Sequence, residues 1–132
     1  MTTIKSFTSL EQSNVLSEIL PLESADMHYA RIMDDLEAFE WTPLLSPIPK
    51  VCATYVENVP CWSLAALLSY LREIDFFPQI EVDEHNVTMD ISYYNEEEAR
   101  PLAPVHNIKV KANTLVDACY EMLLKLHEEE ML

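Results

Sequence analysis

The chain alternates between two kinds of apolar spacing. Leu10, Val15, Leu16 and Ile19 fall on one side of a short helix, opened by Ser9 and Gln12 at the spacing of a capping box. Pro21 closes it, because proline disfavours the helical conformation in the residue before it. Leu64, Leu67, Leu68 and Leu71 repeat at helical spacing and predict a second helix running to about Glu73. Ser63 is placed to cap it, and Trp62, one residue earlier, can staple onto its first turn. Leu115, Val116, Cys119, Met122, Leu123 and Leu126 make the apolar face of a last helix, with Asn113 as the expected cap. Asp117 in its first turn and Lys125 in its last suit the helix dipole.

Between the second and last helices the period changes to two. Ile80 and Val82, then Val87, Met89, Ile91 and Tyr93, alternate with polar residues and predict an antiparallel hairpin. Its turn is Asp83-Glu84-His85-Asn86, and Ile108 and Val110 suggest a third strand. Nearer the N-terminus, Met27–Met33 and Lys50–Val56 read as strands, Asp34–Glu40 as an exposed acidic stretch, and Pro43, Pro47 and Pro49 as punctuation of an extended segment. The expected architecture is α+β: a small, mostly antiparallel sheet with two main helices on one face and a short N-terminal helix. Trp62, Leu64, Leu67, Leu68, Ile80, Val82, Met89, Ile91, Cys119, Met122 and Leu126 are the expected core.

Composition narrows the chemistry. A chain of 132 residues, 49% hydrophobic and 23% charged, fits one globular domain, residues 1–132. It contains no glycine, where average usage predicts roughly nine. A phosphate-wrapping P-loop, a GxGxxG dinucleotide turn and a GxSxG nucleophile elbow are therefore all excluded. Turns must be made by Asn, Asp, Pro or Ser. Three cysteines, Cys52, Cys61 and Cys119, form no CxxC pair. With no apolar leader after Lys5 and no membrane-length run, the expectation is a soluble cytoplasmic protein with reduced thiols.

Cys61 is the sharpest catalytic candidate, since a helix start lowers a thiol pKa. It would need a base, and His28, His85 or His106 would have to fold beside it. The competing reading, a small hydrophobe packed by Trp62, is favoured. His28, His85, His106 and His127 share no metal-ligand spacing, and Glu81 with Asp83 reads better as a solvated strand face than as a carboxylate pair for metal. No catalytic residue, metal site or cofactor is expected, and the chain is read as non-enzymatic.

Charge is the more informative property. With 23 acidic and 8 basic residues, the net charge is −15. Such a chain repels nucleic acid and anionic membranes, and attracts a basic protein surface. From Glu73 to Glu98 there are nine acidic residues and no Lys or Arg. Glu81, Asp83 and Asp90 are expected on the outer face of the hairpin, Glu84 in its turn, and Glu96, Glu97 and Glu98 beyond its end. These seven are the expected binding residues, and the partner is a basic protein surface, for instance that of a nucleic-acid-binding protein. The plain alternative is charge that keeps an exposed edge soluble.

Three stretches, LPLESADMHY (20–29), VPCWSLAALLSYL (59–71) and VDACYEMLLKLHEEEML (116–132), resemble small uncharacterised acidic proteins of gut-bacterial phages and mobile elements. Those proteins pair a Pro-x-Trp-Ser-Leu helix start with a C-terminal Asp-Ala-x-x-Glu-Met helix. The resemblance covers about a third of the chain and implies a prokaryotic cytoplasmic setting, with no catalytic residue to carry over. It suggests an inhibitor of a basic host protein, with nucleic-acid mimicry as one form of it. A structural domain whose acidic face has no role and a cysteine-dependent enzyme using Cys61 stand as alternatives. A monomer and a homodimer, the latter hiding apolar surface counted here as core, are both open.

Overall fold

A computed structural model describes residues 5–32, 41–48, 56–94 and 105–132. Met33 at the end of the first expected strand, the expected acidic stretch Asp34–Glu40, residues 50–55 of the second expected strand, and the carboxylates of Glu96, Glu97 and Glu98 lie outside the described residues.

The elements are α1 (Leu10–Ser17), β1 (Met27–Ile32), β2 (Thr42–Leu44), β3 (Val56–Cys61), α2 (Leu64–Glu73), β4 (Gln79–Val82), β5 (Val87–Tyr94), β6 (Val105–Ala112) and α3 (Leu115–Glu128), with a 3-10 turn at Leu22–Ser24. This is the expected α+β class with its short N-terminal helix. The strands divide into two antiparallel three-stranded sheets, ordered β2-β1-β3 and β4-β5-β6. Pro43 and Pro60 lie on β2 and β3, the outer strands of their sheet.

The caps follow the sequence closely. Ser9 and Gln12 form the full capping box of α1, and Ser63 Oγ accepts from the Ala66 amide to cap α2. For α3 the cap is Thr114 rather than Asn113: its hydroxyl accepts from the Asp117 amide at 3.1 Å. Asp75 (φ 62°) and Glu130 (φ 57°) take the left-handed position just past α2 and α3. There the Phe76 amide reaches the Leu71 carbonyl and the Met131 amide reaches the Leu126 carbonyl, both at 2.8 Å. These are Schellman closures made without the glycine they usually use.

The main core is the layer between the inner face of β5-β6 and helices α2 and α3. Leu67 and Leu71 of α2, Val116, Cys119, Met122, Leu123 and Leu126 of α3, and Met89 and Ile91 of β5 are buried there with Trp62 and Leu16. Leu64 and Leu68 are half-buried against it. Two expected core residues are not in it: Ile80 is 39% exposed and Val82 is 71% exposed. Alternation correctly put both on the helix-facing side of the sheet, but α3 packs over β5 and β6. β4 is an edge strand lying beyond that cover, and all four of its residues are exposed.

A smaller core joins the first sheet to the N-terminus. Met27, Tyr29 and Cys61 are buried there, with Phe7, Leu10, Trp41 and Val59 packed against them. Trp62 is fully buried in the main core while its neighbour Cys61 is fully buried in the second, so the β3–α2 junction links the two.

Candidate functional site

The Cys61 thiol lies at the centre of a closed polar cluster. Thr8, fully buried, donates its amide to the Trp62 carbonyl at 2.9 Å, and its hydroxyl accepts from the Trp62 amide at 3.2 Å. The same hydroxyl bonds Ser13 Oγ at 2.8 Å and lies 3.6 Å from Cys61 Sγ. Tyr29 donates its phenol to the Thr8 carbonyl at 2.8 Å. Burial pushes the Cys61 thiol pKa up, and hydrogen bonds from Thr8 and Ser13 only partly offset it. Tyr29 is pushed up to about 12, chiefly by burial. The candidate bases are engaged elsewhere. His28 Nδ1 donates to the Ser46 carbonyl at 2.5 Å, His106 stacks on Tyr93, and His85 is exposed in the hairpin turn. A buried thiol with a raised pKa is a poor nucleophile, and none of the three histidines stands beside it as a base among the contacts described. Cys119, on the buried face of α3, is pushed up to about 12 by burial and is equally sequestered. Among the described residues no cluster of His, Cys, Asp and Glu is arranged to hold a metal ion.

The acidic residues separate into different roles. Asp83 holds the hairpin turn: its Oδ1 accepts from the amides of His85 and Asn86 at 2.8 and 2.7 Å. Those bonds bring its carboxyl below the usual range. Glu81 and Asp90 share the outer face of the hairpin, around a small depression of about 40 Å³. That face is not one-sidedly anionic. β6 sets Lys109 opposite Asp90 and Lys111 opposite Thr88, so two lysines beyond the acidic stretch share it. Asp90 Oδ1 is buried there without a hydrogen-bond partner. Glu81 and Glu84 are exposed and take part in no ion pair among the described residues.

A second group of carboxylates lies in a groove of about 400 Å³ between the 3-10 turn and α2. Its walls carry Glu23, Asp26 and Glu73, its floor is Ala65 and Ala66, and Tyr70 stands at one side. Among the described residues no lysine, arginine or histidine lines it. Asp26 also buttresses α2: its Oδ1 accepts from the Ser63 amide at 2.9 Å and its Oδ2 from the Ser63 hydroxyl. Burial, and then the nearby Glu73 carboxylate, raise the Tyr70 pKa. Glu73 belongs to the acidic stretch visible in the sequence, but Glu23 and Asp26 come from fifty residues away, and no local pattern announces the groove.

No helix among the described residues is long and apolar enough to cross a membrane. Comparison with known proteins finds no family model that matches the chain, and no match among curated proteins or solved structures.

Proposed function

We propose that this chain is a non-enzymatic interaction protein that receives a basic side chain of a partner protein in the Glu23/Asp26/Glu73 groove. The observation that carries this reading is the groove's lining: three carboxylates, an aromatic ring and a small-residue floor, with no cationic side chain among the described residues. Lysine or arginine entering it would meet opposite charge on several sides and the face of Tyr70. The remaining negative charge, Glu81 and Glu84 included, would steer the partner and speed encounter. Mimicry of a nucleic acid by the hairpin's outer face is disfavoured, because Lys109 and Lys111 interrupt it. On the resemblance noted in the sequence, the partner would be a bacterial host protein.

Capture from bacterial lysate at low and high salt tests this, using wild type, Glu23→Lys with Glu73→Lys, and Glu81→Lys with Asp90→Lys. Both groove positions are exposed, and lysine is favourable near a helix C-terminus, so the first variant should fold. The expected result is a basic protein held by wild type at low salt, released at high salt, and lost with the groove variant but kept by the hairpin variant. Equal capture by the groove variant would refute the assignment.

A further inference from the structure

Both edges of the β4-β5-β6 sheet are unpaired among the described residues, and they are opposites. β4 carries Gln79 and Glu81 on the outer face and Ile80 and Val82 on the inner face. β6 carries Asn107, Lys109 and Lys111 on the outer face and Ile108 and Val110 on the inner face. Laid side by side, residues 79–83 (Gln-Ile-Glu-Val-Asp) and 107–111 (Asn-Ile-Lys-Val-Lys) match position by position. Amide faces amide, isoleucine faces isoleucine, valine faces valine, and each carboxylate faces a lysine.

We infer that β4 of one copy adds to β6 of the next, extending the sheet from chain to chain. β4 and β6 both run antiparallel to β5, so they point the same way. With the helices of both copies on the same side, the new pair is parallel, and only this orientation puts Glu81 and Asp83 against Lys109 and Lys111. The opposite orientation would put the carboxylates on the inner face, against Ile108 and Val110.

Independent features of each edge agree. On β4, Ile80 and Val82 are left 39% and 71% exposed, with Phe77 just before them at 68%. An exposed apolar edge of this kind is a template for strand pairing unless it is blocked. On β6, a cleft of about 530 Å³ opens between the strand and α3, lined by Lys109, Lys111, Gln12, Glu121 and Lys125. It gives an added strand room. Lys109 and Glu81 take part in no ion pair among the described residues, and Lys111 only adds a weak attraction on Asp83 of its own chain, without an ion pair. Net charge of −15 opposes any self-association. At physiological salt, charges beyond about 8 Å are screened while contacting pairs keep most of their attraction, so moderate salt favours pairing. The contact joins two different edges, so it leaves a free edge at each end and does not stop at two copies. It does not involve the acidic groove and stands independently of the function proposed for it.

Sedimentation velocity across a concentration series at physiological salt tests this with two variants. One spoils β4 (Ile80→Lys with Val82→Lys), and the other spoils β6 (Lys109→Glu with Lys111→Glu). All four positions are exposed, and circular dichroism checks that both variants fold. Wild type should associate with rising concentration into dimers and larger species. Each variant alone should associate more weakly by on the order of tenfold or more. Their equimolar mixture should recover a dimer and stop there, since the intact β4 of one meets the intact β6 of the other. Monomeric wild type across the series, a β6 variant that still dimerises, or a mixture that does not associate would overturn the inference.

Discussion

Replacing Thr8 by valine keeps the shape of a fully buried side chain and removes one hydroxyl. That hydroxyl accepts from the Trp62 amide at 3.2 Å and bonds Ser13 Oγ at 2.8 Å. Valine leaves the Trp62 amide without this partner, and an unsatisfied buried donor costs about 1–3 kcal/mol. Ser13 can turn its hydroxyl back toward the carbonyl four residues earlier, so its share is smaller. The expected loss is about 2–3 kcal/mol, a large part of the roughly 5–15 kcal/mol typical of a domain. Thr8→Ser keeps the hydroxyl, loses one methyl and should cost about 1 kcal/mol. Urea unfolding should therefore show a lower midpoint for Thr8→Val than for Thr8→Ser, at unchanged slope. Thr8→Val combined with Ser13→Ala should cost less than the sum of the two single changes, because they break the same bond. Thr8→Val at least as stable as Thr8→Ser would refute the claim that this hydroxyl holds the β3–α2 junction.

Other consequences are equally direct. Burial pushes the Asp117 carboxyl up, but hydrogen bonds from Lys5, Gln12 and Thr114 and the Lys5 charge outweigh it and bring it below its ordinary value. Its contribution is therefore fully present above the unfolded carboxyl's value of about 3.9 and is lost as pH falls through the folded value. Asp117→Asn should cost about 1–2 kcal/mol at neutral pH, and the gap to wild type should close in acid-unfolding experiments. Glu130→Gly should stabilise by up to about 1 kcal/mol in thermal melts, since glycine takes the left-handed position without Cβ strain. Val82→Thr should cost less than about 0.5 kcal/mol, whereas Met89→Ala on the adjacent strand should cost about 2–5 kcal/mol in the same urea assay. Cys61 and Cys119 should react with iodoacetamide only at the rate of unfolding; fast labelling of Cys61 in native protein near pH 7 would revive the nucleophile reading.

The local signals in this chain were legible because they act over a few residues. The capping box at Ser9 and Gln12, the Ser63 cap and the period-two alternation of β5 each depend on neighbours in sequence. What failed was what a partner element decides. Alternation gives Ile80 and Val82 a face, but only the position of α3 decides whether that face is covered. The acidic stretch from Glu73 to Glu98 ends before Lys109 and Lys111, yet the β5–β6 pairing returns both lysines to the hairpin's outer face. Asp83 counted as surface charge, although its carboxylate closes a glycine-free turn. The groove was invisible because Glu23 and Asp26 reach Glu73 only through the packing of the 3-10 turn on α2. Thr8 carries no local signal, because nothing near position 8 shows that it will meet residues 61 and 62.

The central claim is that the acidic charge is organised into a site and does more than keep the chain soluble. Titrating isotopically labelled protein with a short arginine-containing peptide, and following the backbone amides by NMR, tests this most directly. The account predicts saturable shifts concentrated at Ser24, Ala66, Ser69, Tyr70 and Glu73, reversed by salt and absent in the Glu23→Lys, Glu73→Lys variant. Weak, unsaturable shifts spread over every exposed carboxylate, the Glu128–Glu130 run included, would contradict it and leave the charge as solvation alone.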